Sequence, residues 1–240
     1  MTDRQSNGYH NLMNVARPRF KSREERIREI RGAAKKLFFA NGYQNSTVDE
    51  IARLLKIGKG TVYFYFKNKD DLYISLMTPV TEEMAKRFKV FESEINNGKY
   101  EDGYEVIKGF FDLFYSLYKY DPEGIKIVQS FQQGNLFSRM SEKTFEALNS
   151  LARGIYQVMR DIISKSKKIG LLKKSVDEFV LADILWATFI GGVQLEESKL
   201  RVTKKDHLYE TLNYAFAIIA KATCNHYKNS KMRKYFGLTI

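Results

Sequence analysis

The sequence predicts an all-α protein, and three observations support this prediction. The 240 residues include only three prolines, so long segments are free to form helices. Apolar residues recur every three or four positions along most of the chain, which places them on one face of a helix. No segment shows the alternation of apolar and polar residues that is typical of a half-buried strand.

The first predicted helix begins near Ser22 and ends at Asn41-Gly42. Ser22 is a suitable N-cap, and Glu25 stands three positions later, as in a capping box. Gly42 suits the left-handed conformation that follows many helices. The apolar stripe consists of Ile27, Ile30, Ala34, Leu37 and Phe38. Residues 1–21 show no apolar period and contain several basic residues, so we expect a flexible basic arm there.

Three short helices are predicted next, separated by tight turns. Thr47-Val48-Asp49-Glu50 is a capping box, and its acidic residues favour the positive end of a helix dipole. Lys56 to Gly58 forms the turn to a second short helix, which covers Gly60 to Phe66. Asn68 caps a third, and Pro79 either ends that helix or kinks a longer one that runs to about residue 95.

Five longer helices follow, at about 102–119, 123–133, 141–168, 175–198 and 205–228. Gly134-Asn135, Gly170 and Lys204-Lys205 fall between them. Gly191-Gly192 lies inside the fourth and allows another helix to approach closely. We expect the basic tail after Asn229 to be frayed.

The charge and the order of the short helices point to DNA. The net charge is +12, which predicts an anionic partner. Residues 1–75 contain 15 Lys/Arg and 8 Asp/Glu, so the positive charge is concentrated near the N-terminus. Residues 47–66 have the order of a helix-turn-helix, in which one helix crosses the DNA backbone and the next enters the major groove.

Residues 47–72 read T-V-D-E-I-A-R-L-L-K-I-G-K-G-T-V-Y-F-Y-F-K-N-K-D-D-L, and residues 33–43 read A-A-K-K-L-F-F-A-N-G-Y. Both stretches resemble the DNA-binding domain of the tetracycline-repressor (TetR) family, over residues 22 to 72. The resemblance implies a three-helix helix-turn-helix domain at 22–75 and a helical ligand-binding and dimerisation domain at 76–240. Two positions depart from the family pattern: Lys56 replaces a turn glycine, and Gly58 replaces the usual serine N-cap.

The resemblance also assigns DNA contacts. Phosphate contacts are implied for Thr47, Tyr63, Tyr65 and Lys69, and contacts to base edges for Lys59, Gly60, Thr61 and Phe64. A threonine at a helix N-terminus suits a phosphate, and a lysine can donate to guanine O6 and N7. The alternatives are that Tyr63 is partly a core residue, Phe64 an exposed aromatic, and Lys69 a solvated lysine at a helix start.

The C-terminal half carries two apolar stripes, for which an intersubunit four-helix bundle and an intrachain core are the alternatives. The stripes are Phe179, Ala182, Trp186, Phe189, Ile190 and Val193, then Leu208, Leu212, Ala215, Phe216 and Ile219. Aromatic residues are frequent at 110–137, which fits either a core or a hydrophobic ligand site. The predicted ligand-binding residues are Phe110, Phe114, Tyr118, Phe131, Tyr156, Trp186 and Phe189.

An enzyme is not expected. Gly58-Lys59-Gly60-Thr61 fails as a phosphate-binding loop because Arg53 and Gly60 occupy positions that require glycine and a hydroxyl residue. Cys224 is the sole cysteine and there are three histidines, so we expect neither a metal nor a cofactor. Without a recognisable signal peptide or uninterrupted apolar span, we expect a cytoplasmic protein with no membrane partner.

The sequence therefore predicts a homodimeric regulator, a repressor that a small hydrophobic effector releases from a palindromic double-stranded DNA operator. The alternative is a basic architectural protein that binds nucleic acid or a membrane surface without responding to an effector.

Overall fold

The computed structural model describes residues 21–133, 141–204, 206–225 and 229–238, and it confirms the all-α prediction. Apart from one isolated bridge between Leu172 and Cys224, the regular structure in these ranges is helical. The helices are α1 (Arg23–Asn41), α2 (Val48–Leu54), α3 (Lys59–Tyr65), α4 (Lys69–Ser75), α5 (Thr78–Asn96), α6 (Gly103–Tyr120), α7 (Pro122–Gln133), α8 (Glu142–Lys168), α9 (Glu178–Thr203), α10 (Leu208–Thr223) and α11 (Asn229–Phe236).

The chain divides into two compact units, one ending at Tyr65 and the other beginning at Phe66. The first unit contains α1 to α3 and the second contains α4 to α11. The sequence prediction drew its boundary ten residues later, after residue 75. Residues 1–20 of the predicted basic arm, the predicted break at Gly134-Asn135 and Lys205 lie outside the described residues.

In the first unit, α1 packs on α2 and α2 packs on α3. The predicted cap of α1 is present: the Glu25 amide donates to Ser22 Oγ at 3.1 Å, and the Ser22 amide donates to the Glu25 carboxylate at 2.7 Å. Gly42 ends the helix with a φ of 83°, a positive value that favours glycine, but its ψ of 150° lies outside the predicted left-handed helical conformation. The core consists mainly of Ile30, Ala33, Ala34, Phe38, Val48, Ile51, Ala52 and Val62.

In the second unit, α6 lies at the centre of an aromatic core. The Phe114 ring on α6 stacks on Phe189 of α9, with centroids 4.9 Å apart. Phe110, one turn earlier, meets Phe88 of α5 at 5.9 Å, and Phe111 meets Phe216 of α10 at 5.8 Å. These edge-to-face, tilted and stacked ring pairs stabilise the fold by more than the burial of their apolar area alone would.

One proline and one glycine explain how neighbouring helices are arranged. Pro79 lies in the first turn of α5, so it separates α4 from α5, which was one of the two predicted outcomes. Gly192 allows α9 and α10 to approach, because a Cβ at this position would lie 2.5 Å from Leu212 Cδ2. The close approach that the glycine pair predicted therefore occurs within the chain.

Helix α4 is also tied to the start of α8. The Asp71 carboxylate, 4% exposed, accepts a hydrogen bond of 2.9 Å from the Ser141 amide. Ser141 is the N-cap of α8, and its hydroxyl accepts from the Thr144 amide at 3.3 Å. The buried carboxylate of Asp71 on α4 thus accepts a hydrogen bond from a backbone amide at the N-terminus of α8, which has no acceptor within α8 itself.

The prediction of a frayed tail after Asn229 was wrong. Residues Asn229–Phe236 form α11, with Met232 and Phe236 buried. Lys231 Nζ donates to Asp102 Oδ2 at 2.6 Å, and the Tyr235 hydroxyl donates to Glu105 Oε1 at 2.7 Å. Burial, followed by these two carboxylates, raises the pKa of Tyr235. The acidic partners lie near the start of α6, so the tail's own sequence carries no sign of them.

Candidate nucleic-acid interface and ligand cavity

The helix-turn-helix begins with a complete capping box at the N-terminus of α2. The Glu50 amide donates to Thr47 Oγ1 at 3.2 Å, and the Thr47 amide donates to Glu50 Oε2 at 2.7 Å. The Thr47 hydroxyl also donates to Glu50 Oε2, at 2.8 Å. These bonds lower the pKa of Glu50 and fix Thr47 as an exposed residue at the positive end of the helix dipole.

The turn between α2 and α3 depends on one residue in the left-handed region. Lys56 has a φ of 53°, a conformation in which glycine is the least strained residue. This is the position at which the sequence departs from the family's turn glycine. The turn is closed by the Lys56 amide, which donates to Arg53 O at 3.1 Å, and by the Ile57 amide, which donates to Ala52 O at 3.0 Å. Lysine therefore does not prevent the turn from forming.

Helix α3 buries a single residue, Val62, and its other side chains face solvent fully or in part. Lys59, Gly60, Tyr63 and Phe64 are exposed, and Thr61 and Tyr65 are half-buried. Phe64 is 76% exposed, which is unusual for so large an apolar side chain. Six of the eight predicted DNA contacts therefore share the solvent-facing part of one short helix.

Lys59 already has an acidic partner within the first unit. Its Nζ donates to Asp49 Oδ2 at 2.6 Å and lies 5.9 Å from the centre of the Tyr63 ring. The bond to Asp49, and then its charge, raise the pKa of Lys59. Asp49 was predicted only as a favourable residue of the first turn of α2. A contact ten residues along the chain cannot be inferred from helical spacing.

Lys69, the eighth predicted DNA contact, belongs to the second unit. It is the first residue of α4 and is half-buried. The preceding residue, Asn68, caps this helix by accepting from the Asp71 amide at 2.7 Å. The cap therefore sets the position of Lys69 relative to the rest of α4.

A cavity of about 260 Å³ lies in the second unit, and its lining is mainly apolar. Its wall comes from Met77 between α4 and α5, from α5 and α7, from one face of α8 and from α9. The lining residues are Met77, Thr81, Met84, Val128, Phe131, Phe145, Leu148, Asn149, Ala152, Ile155, Tyr156, Met159 and Trp186.

The seven predicted ligand-binding residues fall into two groups. Phe131, Tyr156 and Trp186 line the cavity, whereas Phe110, Phe114 and Phe189 are fully buried in the aromatic core and do not. Tyr118 lies outside the wall, near Glu197, and burial followed by the charge of Glu197 raises its pKa to about 12. The core and the cavity adjoin at Trp186, whose ring is 5.8 Å from that of Phe114.

Apart from Tyr156, the sequence prediction missed the contribution of α8. Phe145, Leu148, Ala152, Ile155 and Met159 recur every three or four residues and line one side of the cavity. This spacing was visible in the sequence, but the sequence analysis predicted only a helix at about 141–168 and assigned these residues no role. The sequence analysis assigned ligand contacts to α6 because this segment is rich in aromatic residues. In the structure these rings pack against α5, α9 and α10 and do not line the cavity.

The cavity wall contains a few polar groups. The indole Nε1 of Trp186 is buried and has no hydrogen-bond partner among the described residues. Burial, followed by the charge of Asp183, raises the pKa of Tyr156 to about 12, so its hydroxyl is protonated at neutral pH. The Thr81 hydroxyl interacts with Thr78 O at 2.9 Å and Met77 O at 3.0 Å. Within the described ranges no cluster of acidic, histidine or cysteine residues could hold a metal.

Helices α9 and α10 expose a large apolar surface. The exposed apolar side chains are Phe179, Val180, Ile184, Leu195, Leu200, Val202, Tyr209, Tyr214 and Ile218. Residues Glu178–Leu200 are long and apolar enough to span a membrane by length and composition, and 28% of the stretch is buried. Single exposed apolar residues are common, whereas larger exposed apolar patches are typical of interaction sites.

Comparisons with known proteins agree with this architecture. Residues 30–76 match the sequence profile of bacterial regulatory proteins of the tetR family. The fatty acid metabolism regulator protein of Bacillus subtilis is 25% identical over 169 residues, which cover 70% of this chain and 81% of that protein. The B. subtilis regulator YhgD is 40% identical over 63 residues, which cover 26% of this chain and 33% of that protein.

Solved structures resemble the chain over most of its length. The FadR regulator of B. subtilis, in complex with stearoyl-CoA, has a TM-score of 0.60 and 22% identity, and the match covers 80% of this chain and 97% of FadR. The FadR of Bacillus halodurans has a TM-score of 0.63 and 20% identity, with coverages of 83% and 97%.

The helix-turn-helix, the matching profile and the shared fold together define a DNA-binding transcription regulator. Residues 30–76 carry the DNA-binding domain of the TetR family, and the chain has the fold of the FadR regulators over most of its length.

Proposed function

We propose that this protein is a homodimeric repressor that a hydrophobic effector releases from a palindromic double-stranded DNA operator. The observation that carries the proposal is the mainly apolar cavity of about 260 Å³, whose wall includes Met77, two residues after the end of α4. The proposal gives the protein no catalytic role, and it acts in the cytoplasm, where the operator is accessible.

In this proposal α3 enters the major groove. Lys59 and Thr61 contact base edges together with Gly60 and Phe64, and a lysine there is suited to guanine O6 and N7. Phosphate oxygens are contacted by Thr47, Tyr63, Tyr65 and Lys69. The exposure of Lys59, Gly60, Tyr63 and Phe64 on one short helix supports these assignments. Phosphate contacts hold the protein in register, and base contacts determine which sequence it prefers.

The exposed apolar surface of α9 and α10 supports the dimer. Phe179 is 61% exposed and Val202 is 84% exposed, so the isolated chain leaves much of this surface in water. Two such helices from each subunit form an intersubunit four-helix bundle. An isologous dimer carries two recognition helices related by a twofold axis, and its operator is therefore a pseudo-palindrome. A second copy of the chain accounts for the apolar character of α9 without a membrane.

Effector release follows from the order of helices along the chain. Helix α4 starts four residues after Tyr65, the last residue of the recognition helix. Met77 beyond its end and Phe145 of α8 both line the cavity, and Asp71 ties α4 to α8 through Ser141. A ligand that favours one arrangement of α4 and α8 changes the spacing of the two recognition helices. Such coupling is typically worth about 1–3 kcal/mol and is reciprocal.

The comparisons favour an acyl chain as the effector's hydrophobic part. A relative at 25% identity is named as a regulator of fatty acid metabolism, and a structural neighbour is named as a complex with stearoyl-CoA. The apolar lining of the cavity is compatible with an alkyl chain.

The test begins with selection of the preferred DNA sequence and measurement of the salt dependence of binding. We expect an inverted repeat bound by a dimer. A consensus without symmetry, full affinity as a monomer, or equal binding to any DNA or to anionic vesicles would contradict the proposal, and the last result would support the architectural alternative.

Effector release is tested with Trp186, the sole tryptophan, as a fluorescent reporter of cavity occupation. We expect ligand affinity to fall when the operator is saturating, and equal affinities would refute the coupling. Ala152→Phe fills part of the cavity and should abolish the response while preserving operator binding. Ala147→Phe is the matched control, because Ala147 is exposed on the same helix and does not line the cavity.

A further inference from the structure

Asp49 and Lys59 form an ion pair between the two helices of the helix-turn-helix. Lys59 is the first residue of α3, and its Nζ lies 2.6 Å from Asp49 Oδ2 in the first turn of α2. The side chains of Lys59 and Asp49 are 50% and 52% exposed, so the carboxylate shares the solvent-facing surface with the lysine. A negative charge at this place repels phosphate groups, and the DNA contacts assigned so far give it no role.

The ion pair leaves Lys59 able to contact a base. A lysine ammonium has three N–H donors, and one of them is directed to Asp49. The other two are sufficient for O6 and N7 of one guanine, which are both acceptors at its major-groove edge. Asp49 can therefore stay bound to Lys59 while the ammonium donates to a guanine.

The same ion pair disfavours a contact between Lys59 and a phosphate. Lysine is a point charge on a flexible stem, and such a charge reaches the phosphates of any DNA sequence. A phosphate that approaches the pair meets little net charge, and a phosphate that displaces Asp49 leaves its carboxylate unpaired beside the DNA. Because phosphate contacts carry no sequence information, the pair weakens binding to random DNA more than binding to the preferred sequence.

We propose that Asp49 is a specificity-determining residue, which restrains Lys59 so that its ammonium contacts a guanine and not the phosphate backbone. Asp49 acts through Lys59 and is therefore a positioning residue. This inference rests on the proposed contact between Lys59 and a base, and it adds the residue that controls this contact.

The experiment compares Asp49→Asn with the unchanged full-length protein on two DNA duplexes of equal length, the selected operator and a random sequence. Asparagine removes the charge and nearly preserves the shape of the side chain. Random DNA should bind about two- to fivefold more tightly, in line with the strength of an exposed ion pair. The salt slope on random DNA should steepen by about one unit, because Lys59 then neutralises a phosphate. The operator should gain less, so that the ratio of the two affinities falls.

Glu24→Gln is the matched control, because Glu24 is an exposed acid in the first turn of α1 in the same unit. It makes the same change in net charge and should strengthen binding to both duplexes alike. Equal gains on both duplexes in Asp49→Asn would indicate an effect of net charge alone and overturn the proposal. Equal losses would also overturn it, since they would indicate that α2 is weakened by removal of a charge that favours its N-terminus.

A double variant tests whether Asp49 acts through Lys59. Lys59→Met keeps most of the side chain and removes the ammonium. In that background, Asp49→Asn should leave the ratio of operator to random affinity unchanged. A ratio that falls as far without the ammonium would show that Asp49 acts on the DNA independently of Lys59, which would overturn its role as a positioning residue.

The outcome is separable from that of the proposed function. Effector release does not enter these measurements, and the gain in affinity for random DNA requires no operator. A protein that selects an inverted repeat, but whose ratio of affinities survives Asp49→Asn, would sustain the proposed function and refute this inference.

Discussion

The buried contact between Asp71 and Ser141 provides a direct test of coupling within the ligand-binding unit. Asp71→Ala removes the acceptor of the Ser141 amide, which lies at the N-terminus of α8. Asp71→Asn keeps a carbonyl oxygen of nearly the same shape at that position. The two variants therefore differ in the hydrogen bond, while both remove the negative charge.

The expected cost follows from burial. Asp71 is 4% exposed, so alanine leaves the amide in a site that water reaches poorly, at a cost of about 1–3 kcal/mol. Loss of a negative charge near the N-terminus of α4 costs about 0.3–1 kcal/mol in either variant. Urea unfolding should thus show a clearly larger loss for alanine than for asparagine. Equal losses would show that the hydrogen bond contributes little.

The functional assay is the ratio of ligand affinities with and without saturating operator, read from Trp186 fluorescence. A coupling of about 1–3 kcal/mol corresponds to a ratio of about 5 to 150. We expect the ratio to approach one in Asp71→Ala, with each separate affinity largely retained, and to persist in Asp71→Asn. An alanine variant that keeps the full ratio would refute the role of this contact in transmitting the ligand's effect.

Four further predictions concern the DNA-binding residues and the dimer. Lys69→Ala should weaken binding to all sequences alike and reduce the salt slope by about one unit in filter binding. Lys59→Ala and Thr61→Ala should each relax preference at one or two base positions, at about 1–3 kcal/mol, and an unchanged selected consensus would contradict base contact by that residue. Asp49→Asn frees Lys59 from its ion pair and should strengthen binding to non-specific DNA, whereas unchanged titrations would show that the pair does not compete. Ile218→Glu, at an exposed site on α10, should yield monomers by analytical ultracentrifugation, and a retained dimer would place the interface elsewhere.

Local signals were sufficient to predict most of the helices. Ser22, Thr47 and Asn68 act as N-caps in the structure because the groups they bind lie within three residues. Pro79 marks the start of α5 for a similar reason, since its ring excludes it from a helix interior. Such features depend on a few consecutive residues, and a single sequence contains all of them.

Features that depend on distant partners were not predictable in the same way. Helix α11 relies on Asp102 and Glu105 far back in the chain, so its basic sequence gave no sign of order. The aromatics of α6 were assigned to a ligand site because composition does not reveal which partner covers a helix face. Phe114 meets Phe189 and not the cavity, which only the packing of α6 against α9 determines.

The DNA-binding surface lies between these two cases. Helical spacing and the family resemblance predicted which residues of α3 face solvent and can contact DNA, and Lys59 and Phe64 are exposed there. Neither source indicated that Asp49 holds Lys59, because the ion pair joins two different helices.

The attachment of α11 to α6 also has a consequence for how the chain folds. The bond from Lys231 to Asp102 joins residues 129 positions apart, and that from Tyr235 to Glu105 joins residues 130 apart. During synthesis, α6 leaves the ribosome long before Lys231 exists, so its N-terminal carboxylates remain in water until α11 arrives. Closing so long a loop costs entropy that early, local helix contacts do not. We therefore expect the docking of α11 to be a late step in assembling this unit.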